Sequence, residues 1–408
     1  MHTLPRNEPI VLVMVGLPAR GKTYIARKLA RYLNWLGVSS KVFNVGNYRR
    51  KHLGSAQPAG FFDPDNPEGY AARRRMALSA LDDLVAWIRA GGQVALYDAT
   101  NGTPERRQLV REKLAEHGLQ PIFVESVCND QALIEANIRE TKLSMPDYAG
   151  MDADAAVRDF RARIQHYERA YRPVEIEEGS YVKLIDVGQQ IHLNRMYGSL
   201  ASRIVVFLMN LHIVPRPIFL MRHGESTFNP ENRIGGDPPL TTRGWSFARK
   251  VGPFLQERLP GDPPAVWTST LQRARQTTGS LGWPFKTLKN LDEIDAGEFD
   301  GWTYGQVKKH RPSDYDARKG DKLCYRYPRG ESYHDVIERL EPVILELERQ
   351  RGPVVVVAHQ AVLRCLYGYL TNQPREACPH LEIPLHTVFE LVPKAYGADE
   401  ARTTLSVD

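Results

Sequence analysis

The stretch VLVMVGLPARGKTYIARKL, residues 11–29, joins an apolar run to a glycine-rich loop and then to an amphipathic helical pattern. The loop GLPARGKT, residues 16–23, matches the pattern GxxxxGK[ST]. In this pattern the glycines let backbone N–H groups turn toward phosphates, the lysine reaches the β and γ oxygens, and the hydroxyl binds Mg²⁺. Those roles fall on Gly16, Gly21, Lys22 and Thr23. The sequence therefore predicts a nucleoside-triphosphate site between a buried strand and a helix N-terminus.

Apolar runs alternate with helical patterns through the first half of the chain. They predict strands over residues 9–15, 41–45, 93–97, 121–127 and 181–187, and helices over residues 22–36, 69–90, 104–117, 153–171 and 195–214. Strands that alternate with helices are typical of a mostly parallel sheet that is covered on both faces. Pro215 and Pro217 then interrupt the chain before a new strand begins.

The second half repeats the alternation. It predicts strands over residues 218–221, 265–268 and 354–358, and helices over residues 241–258, 271–281, 332–351 and 361–369. A chain of 408 residues exceeds what one compact core usually organises. We therefore predict an α/β protein of two domains, a P-loop domain over residues 1–214 and a second α/β domain over residues 215–408.

Composition limits the class of protein. The net charge is +6, but basic residues are spread over both halves with acids between them and form no basic tract. The four cysteines show no CxxC pairing, and the longest apolar stretch, residues 204–214, is too short to cross a bilayer. We expect a soluble, cytoplasmic protein that acts on small anionic substrates, with no nucleic-acid or membrane partner. A homodimer is left open.

A P-loop needs a second acid to orient its metal, usually an aspartate at the end of a hydrophobic strand. The segment QVALYD, residues 93–98, supplies Asp98. A lone aspartate after a strand is more often a turn or a helix cap. With the P-loop present, we assign Thr23 and Asp98 as the Mg²⁺ ligands.

The second half contains RHGE, residues 222–225, directly after its first predicted strand. Open α/β folds place active sites at this end of their strands. Arg273 has the spacing of the second phosphate-binding arginine of the histidine phosphatase superfamily, which TSTLQRARQT (residues 268–277) resembles, and His359 follows the last predicted strand. A neutral His223 can attack phosphorus while Arg222, Arg273 and His359 neutralise the phosphoryl oxygens. This chemistry requires no metal.

Five segments together resemble the bifunctional 6-phosphofructo-2-kinase/fructose-2,6-bisphosphatase family: VMVGLPARGKTYIARKLARYLNWLG (13–37), KVFNVGNYRR (41–50), YDATN (97–101), ESVCND (125–130) and RHGE. The resemblance covers nearly the whole chain, from about residue 10 to residue 397. It implies an N-terminal kinase that makes fructose 2,6-bisphosphate from fructose 6-phosphate and ATP. It also implies a C-terminal phosphatase of phosphoglycerate-mutase-like fold, which returns fructose 6-phosphate through a phosphohistidine and so helps to control glycolysis and gluconeogenesis.

The resemblance also assigns residues in the kinase half. It places ATP on Gly16, Leu17, Pro18, Ala19, Arg20, Gly21, Lys22, Thr23, Asn137 and Lys142. It places fructose 6-phosphate on Arg49, Arg73, Thr100, Arg106, Lys142, Arg163 and Tyr167. Asp98 and Cys128 occupy positions that the family assigns to the active site. A thiol has no evident task in phosphoryl transfer, so Cys128 is as open to a packing role, and Lys22 and Lys142 are better candidates for stabilising charge.

In the phosphatase half, Glu293 matches the family's proton donor. Its neighbours Asp292 and Asp295 could act on it by like-charge repulsion or could be solvated. The resemblance places the bisphosphate on Arg222, Asn229, Gly235, Tyr304, Arg318, Lys322, Tyr333, Gln360 and Arg364. A sugar with two phosphates needs a second cationic pocket, which Arg318, Lys322 and Arg364 can supply.

Three other functions compete with this interpretation. A polynucleotide kinase/phosphatase would need a continuous basic groove with stacking aromatics, which the sequence does not show. A catalytically silent sugar-phosphate sensor would not need every catalytic position to be occupied. A mutase role for the second half would leave the kinase half unexplained.

Because few residues lie outside the two predicted domains, we expect ligands rather than tail phosphorylation to set the balance of activities.

Overall fold

The computed structural model describes residues 8–55, 57–139, 146–148, 150–186, 188–212, 215–394 and 397–407. The chain divides into two compact units. One comprises residues 1–34 and 38–213, and the other residues 35–37 and 214–408. Among the described residues, no helix is long and apolar enough to cross a membrane.

A six-stranded sheet organises the first unit, with strand order β2-β3-β1-β4-β5-β6. Its strands are parallel except β6, which pairs antiparallel with β5. The strands are β1 Ile10–Val15, β2 Ser40–Asn44, β3 Val94–Asp98, β4 Pro121–Val127, β5 Tyr181–Ile185 and β6 Gln190–Asn194. The helices are α1 Lys22–Trp35, α2 Val45–Leu53, α3 Pro67–Arg89, α4 Pro104–Ala115, α5 Gln131–Asn137, α6 Ala153–Ala170 and α7 Ser199–Asn210.

The central strand β1 is buried on both faces. Val11, Val13 and Val15 point to one side and join a core with Ala77 and Leu81 of α3, while Leu12 and Met14 on the other side are also buried. Each such side chain contributes about 1.5–3 kcal/mol when it is fully buried. The apolar run that precedes the glycine-rich loop is therefore the middle of the sheet, and the loop lies at its carboxyl edge.

Two sequence predictions in this unit are wrong. Residues 195–214 are not one helix: β6 precedes them, and α7 begins only after Gly198, whose φ of 91° lies in the left-handed region. The strand predicted over residues 41–45 ends at Asn44, because the Asn44 side chain accepts the Asn47 N–H and caps a helix that starts at Val45. Arg49 consequently lies on α2.

A second six-stranded sheet organises the other unit, with order β12-β11-β7-β10-β8-β9. Strands β7, β10, β8 and β9 are parallel, and β11 and β12 add an antiparallel hairpin beside β7 that the sequence did not predict. The strands are β7 Ile218–Arg222, β8 Ala265–Thr268, β9 Lys286–Thr287, β10 Val354–Ala358, β11 Thr387–Lys394 and β12 Gly397–Thr404. The helices are α8 Phe228–Glu231, α9 Thr242–Arg258, α10 Gln272–Gly279, α11 Tyr304–His310, α12 Pro312–Gly320, α13 Tyr333–Arg349 and α14 Gln360–Leu370.

The two central strands of this sheet bring two histidines to one edge. β7 and β10 are neighbours, and Arg222 is in register with Ala358. His223 and His359 are the next residues of their chains. Both imidazoles therefore lie at the carboxyl edge of the parallel strands, as the sequence predicted.

Candidate active sites

The loop between β1 and α1 has the backbone that a phosphate cradle needs. Gly16 and Gly21 have φ angles of 138° and 79°, values that side chains rarely allow. A Cβ atom on Gly16 would lie 2.5 Å from the backbone oxygen of Ser126. The Gly16 N–H donates to the Thr100 oxygen at 3.0 Å. The loop is thus tied to the segment after β3 and leaves no room for a side chain at its first glycine.

Lys22 begins α1 and is almost buried, with 8% of its surface exposed. Its Nζ donates to the Leu17 oxygen at 2.6 Å. This contact folds the amine back over the loop instead of into solvent. Arg20, in the same loop, forms an ion pair with Glu168 at 3.5 Å, and burial lowers its pKa. Pro18 accepts from Arg20 at 3.3 Å.

Asp98 lies at the end of β3, next to β1, and is 2% exposed. Its Oδ2 accepts from Asn44 Nδ2 at 2.5 Å. Among the described residues there is no cluster of three or more His, Cys, Asp or Glu side chains that could hold a metal by themselves. Mg²⁺ commonly uses one carboxylate and the oxygens of a bound phosphate. Thr23, next to Lys22 in the first turn of α1, and Asp98 at the end of β3 are the residues that the sequence assigns to such a site.

Cys128 is placed among apolar side chains. It is 6% exposed and belongs to a cluster with Ala19, Ile134 and Ile138. Burial raises the pKa of its thiol. This environment suits packing better than nucleophilic chemistry. Asn137 donates from Nδ2 to the Ala19 oxygen at 3.2 Å, which places it against the phosphate loop. Lys142, predicted to contact both substrates, lies outside the described residues.

Arginines predicted to bind the sugar phosphate gather around one aromatic turn, the 3-10 helix Ala59–Phe62. The guanidinium carbons of Arg163 and Arg49 lie 4.6 and 5.3 Å from the centre of the Phe62 ring. That of Arg73 lies 5.8 Å from the Phe61 ring. The Tyr167 ring packs on Phe62 at 6.1 Å between centroids. Helices α2, α3 and α6 thus place three arginines and the phenol of Tyr167 against the same 3-10 helix.

An anionic ligand would stabilise two arginines of this cluster. Arg49 has a buried donor without a partner among the described residues, and the pKa of Arg73 is lowered. Arg49 pairs with Asp147 through Nη2, but its buried Nη1 has no hydrogen-bond partner among the described residues. Arg106 donates to the Arg73 oxygen at 3.1 Å, and burial lowers the pKa of Arg73, with a smaller contribution from the charge of Arg106. A buried donor without a partner is costly. An anionic ligand would satisfy it.

In the second unit, His223 is held in the tautomer that a nucleophile needs. It is 3% exposed, and its Nδ1 lies 2.7 Å from the Gly224 oxygen, which can only accept. Nδ1 therefore carries the proton, and the lone pair is on Nε2. Burial lowers the pKa of His223 well below its usual value, and the charges of Arg273 and Arg222 lower it further. The ring is neutral at physiological pH.

The charges of two arginines act on the His223 ring. Arg273 Nε lies 3.1 Å from His223 Nε2, and its Nη1 donates to the Gly236 oxygen at 2.8 Å. Arg222 donates from Nη1 to the Ile383 oxygen, while its buried Nε has no partner among the described residues. Burial lowers the pKa of Arg222 to about 10. Both guanidinium groups are desolvated cations that an incoming phosphate can satisfy.

His359 completes the set. Its ring centre lies 5.0 Å from that of His223, and it is fully buried. Its Nε2 lies 2.7 Å from Ser269 Oγ. Burial lowers its pKa well below the usual value, and the charge of Arg273 adds to this effect.

Glu293, the predicted proton donor, lies at the same edge. Its Oε1 accepts the backbone N–H groups of Ile294 and Ala361, both at 3.0 Å. Ala361 is in the first turn of α14, two residues after His359. The neighbouring Asp292 does not face Glu293: its carboxylate accepts from Ser269 and Thr270.

A second cationic pocket forms around Tyr333 and Tyr327. Arg364 donates to the Tyr333 hydroxyl at 3.0 Å, and Lys322 Nζ lies 5.9 Å from the Tyr333 ring centre. Arg318 donates to the Tyr327 hydroxyl at 2.8 Å. Burial lowers the pKa of Lys322 to about 8, and Arg364 and Arg318 contribute. The three cations are therefore close enough to disturb one another.

The remaining predicted contacts lie around these pockets. The Tyr304 hydroxyl lies 2.9 Å from that of Tyr327, and its ring receives Arg318 at 4.2 Å. Asn229 accepts from Ser226 with Oδ1 at 2.7 Å. Gly235 has a φ of 68°, and Gln360 begins α14 directly after His359.

Two family models match the chain, one in each half. The model of 6-phosphofructo-2-kinase covers residues 1–215, and that of the histidine phosphatase superfamily (branch 1) covers residues 218–404. Bifunctional proteins match both halves at once. A 6-phosphofructo-2-kinase/fructose-2,6-bisphosphatase of Arabidopsis thaliana is 52% identical over 97% of this chain, and a form 4 protein of Rattus norvegicus is 47% identical over 98%. The chain belongs to the 6-phosphofructo-2-kinase/fructose-2,6-bisphosphatase family.

The family members differ in length. The chain spans 54% of the Arabidopsis protein, 86% of the rat form 4 protein, and 73% of a rat form 3 protein to which it is 46% identical. The family contains longer proteins than the segment aligned here.

Sequence reasoning missed several polar partners of the family residues. Asp147, which pairs with Arg49 and Arg50, had no local signal. Thr277, which accepts the Gly224 N–H with its hydroxyl oxygen at 2.9 Å, lies inside the segment quoted for Arg273. Its spacing of one helical turn from Arg273 could have placed it on the same face of α10.

Proposed function

We propose that the chain makes fructose 2,6-bisphosphate from fructose 6-phosphate and ATP at one site and hydrolyses it at another. The observation that carries the proposal is a neutral His223 whose Nε2 meets the buried Arg273, with the charge of Arg222 also acting on the ring, in a chain that also holds a phosphate loop. We place the two activities in residues 1–214 and 215–408. The family relationship supports the choice of sugar.

In the kinase half, the phosphate loop would hold ATP through its inward backbone N–H groups and Lys22. Mg²⁺, held by Thr23 and Asp98 together with phosphate oxygens, would neutralise charge on the transferring group. Asn44 keeps the Asp98 carboxylate oriented. Because positioning and charge stabilisation do most of the work in phosphoryl transfer, no thiol chemistry from Cys128 is needed.

The arginine cluster would hold the phosphate of fructose 6-phosphate. Arg49 offers a buried Nη1 donor that has no partner among the described residues, and Arg73 and Arg163 pack against the 3-10 helix Ala59–Phe62. Thr100 follows Asp98 and lies next to Gly16, whose N–H it accepts. This arrangement would bring the sugar's hydroxyl toward the γ-phosphate.

In the phosphatase half, His223 Nε2 would attack the phosphorus of the 2-phosphate. The N–P bond forms as the bond from phosphorus to the sugar oxygen breaks, and Glu293 gives its proton to that oxygen. Arg273 meets Nε2 in the free protein and would transfer this hydrogen bond to a phosphoryl oxygen. Glu293, now ionised, would then take a proton from the water that splits the phosphohistidine.

The pocket of Arg318, Lys322 and Arg364 would bind the second phosphate of the bisphosphate. Among the described residues, its cations are held by Tyr327, Tyr333 and backbone oxygens and form no ion pair with a carboxylate. The pocket is therefore positively charged before substrate arrives. This feature favours a bisphosphate over a monophosphate substrate.

The test follows labelled phosphate through both reactions. Supplied with Mg²⁺, fructose 6-phosphate and ATP labelled in its γ-phosphate, the chain should transfer the label to a sugar bisphosphate. The label should next appear in an acid-labile, base-stable phosphoenzyme and finally in inorganic phosphate. Label on serine or aspartate, or no transfer to sugar, would overturn the proposal.

A further inference from the structure

Asp292 is the acceptor at the end of a hydrogen-bonded chain that leads to the second histidine of the phosphatase site. Its Oδ1 accepts from Ser269 Oγ and Thr270 N, both at 2.7 Å, and its Oδ2 accepts from Thr270 Oγ1 at 2.7 Å. Ser269 Oγ in turn lies 2.7 Å from His359 Nε2. The order is therefore Asp292, Ser269, His359.

The direction of the protons in this chain is fixed by counting them. A serine hydroxyl has one hydrogen, and an ionised carboxylate can only accept. The hydrogen of Ser269 must lie toward Asp292, since two oxygens 2.7 Å apart without a hydrogen would repel each other. Ser269 Oγ consequently accepts from His359, and the proton of the neutral imidazole is on Nε2.

This tautomer leaves His359 Nδ1 as a bare acceptor. Nδ1 is buried and has no hydrogen-bond partner among the described residues. An entering phosphoryl dianion also presents only acceptors. The two can form a hydrogen bond only if Nδ1 gains a proton, which makes the ring an imidazolium with Asp292 behind it.

The charged groups around His359 explain why the proton is absent before substrate binds. Burial acts most strongly against a positive charge on the ring, and the charges of Arg273 on α10, Arg222 at the end of β7 and Arg339 on α13 add to this effect. The negative charge of a phosphoryl dianion offsets the repulsion between the arginines and a positively charged ring, so it favours protonation of His359. The carboxylate of Asp292, reached through Ser269, acts in the same direction as the dianion.

We propose that Asp292 and Ser269 are positioning residues that set the tautomer of His359 and let it take up one proton when a phosphoryl dianion binds. The proton comes from water and returns to it when phosphate leaves. The inference rests on the proposed phosphatase activity of the site and adds the state in which His359 meets the phosphoryl group. It gives Asp292 a role distinct from repulsion of Glu293.

The first test measures proton uptake without any turnover. Sulfate, a dianion that does not titrate near neutrality, is bound to the full chain with excess ADP and Mg²⁺ present to occupy the P-loop. Calorimetry in buffers of different ionisation enthalpy then gives the protons taken up. We expect the wild type to take up about one proton more per sulfate near pH 7.5 than Asp292→Asn does. Equal uptake in the two proteins would overturn the inference.

The second test uses single-turnover formation of the phosphoenzyme from fructose 2,6-bisphosphate. Asp292→Asn and Ser269→Ala should each slow it by about tenfold or more, and most at high pH, where the proton is hardest to acquire. Asp295→Asn is the matched control: it removes the same charge three residues away, from a carboxylate that accepts the Gly297 N–H. A pH-independent loss in the two relay variants, or the same pH-dependent loss in the control, would contradict the inference.

The two tests separate this inference from the proposed function. If the wild type binds sulfate with proton uptake but hydrolyses no bisphosphate, the proposed substrate fails and the relay stands. If it hydrolyses the bisphosphate and takes up no proton, the relay fails and the function stands.

Discussion

The phosphatase site should lose affinity for its substrate in mildly alkaline solution, because the Lys322 amine loses its positive charge there. Burial, together with the charges of Arg364 and Arg318, lowers the pKa of this amine to about 8. A group with a lowered pKa of this kind is charged below about pH 8 and neutral above it. It would be about 90% charged at pH 7 and about 10% charged at pH 9. If the second phosphate binds only the charged amine, kcat/KM for fructose 2,6-bisphosphate should fall by about ninefold over this interval.

The assay is the rate of fructose 6-phosphate release at low bisphosphate concentration, between pH 7 and pH 9.5. Lys322→Arg is the matched control, because a guanidinium keeps its charge throughout this range. The arginine variant should decline less steeply than the wild type, by about ninefold between pH 7 and pH 9, and Lys322→Met should follow the slope of the arginine variant at a lower level. A flat profile in the wild type, or an unchanged decline in Lys322→Arg, would refute the reasoning.

Three further changes separate the roles of individual residues. Glu293→Gln keeps the shape of the side chain but removes its proton, so phosphoenzyme formation in a rapid-quench assay should slow by about a hundredfold, within the range for general acids; an unchanged rate would exclude Glu293 as the acid. Cys128→Ala should retain kinase turnover and lower the free energy of unfolding by about 1 kcal/mol in urea titration, whereas loss of turnover with unchanged stability would show a chemical role. Gly16→Ala places a Cβ atom 2.5 Å from a backbone oxygen, so ATP-dependent synthesis should disappear while bisphosphate hydrolysis persists; normal synthesis would contradict the cradle geometry.

The central strands could be predicted from sequence because their burial leaves a strong local signal. β4 Pro121–Val127 and β10 Val354–Ala358 have the predicted bounds, since runs of buried apolar residues identify both. The edge strand β6 carries no such signal: its residues are half-buried or exposed, and Leu193 is 49% exposed. In the β11–β12 hairpin only β12 lacks the signal, because most of its side chains face solvent, whereas β11 is mostly buried and its apolar run was overlooked in the sequence.

The residues of the candidate sites could be predicted from the sequence where they lie within a short motif. The phosphate loop and RHGE are local sequences, and the structure places them at the carboxyl edges of the two sheets. Hydrogen-bond partners that lie far from these residues in the sequence could not be predicted. Asp147 lies 98 residues from Arg49, and Ser269 lies 90 residues from His359. Only the folded chain brings such pairs together, and they determine which nitrogen of each side chain is left for substrate.

The most direct test of the account compares two initial rates in three proteins. Synthesis of fructose 2,6-bisphosphate from Mg-ATP and fructose 6-phosphate, and its hydrolysis without ATP, are measured in the wild type, Lys22→Ala and His223→Ala. The account predicts both activities in the wild type, hydrolysis alone in Lys22→Ala, and synthesis alone in His223→Ala. Loss of both activities in either folded variant, or binding of both sugar phosphates by the wild type without turnover, would contradict it.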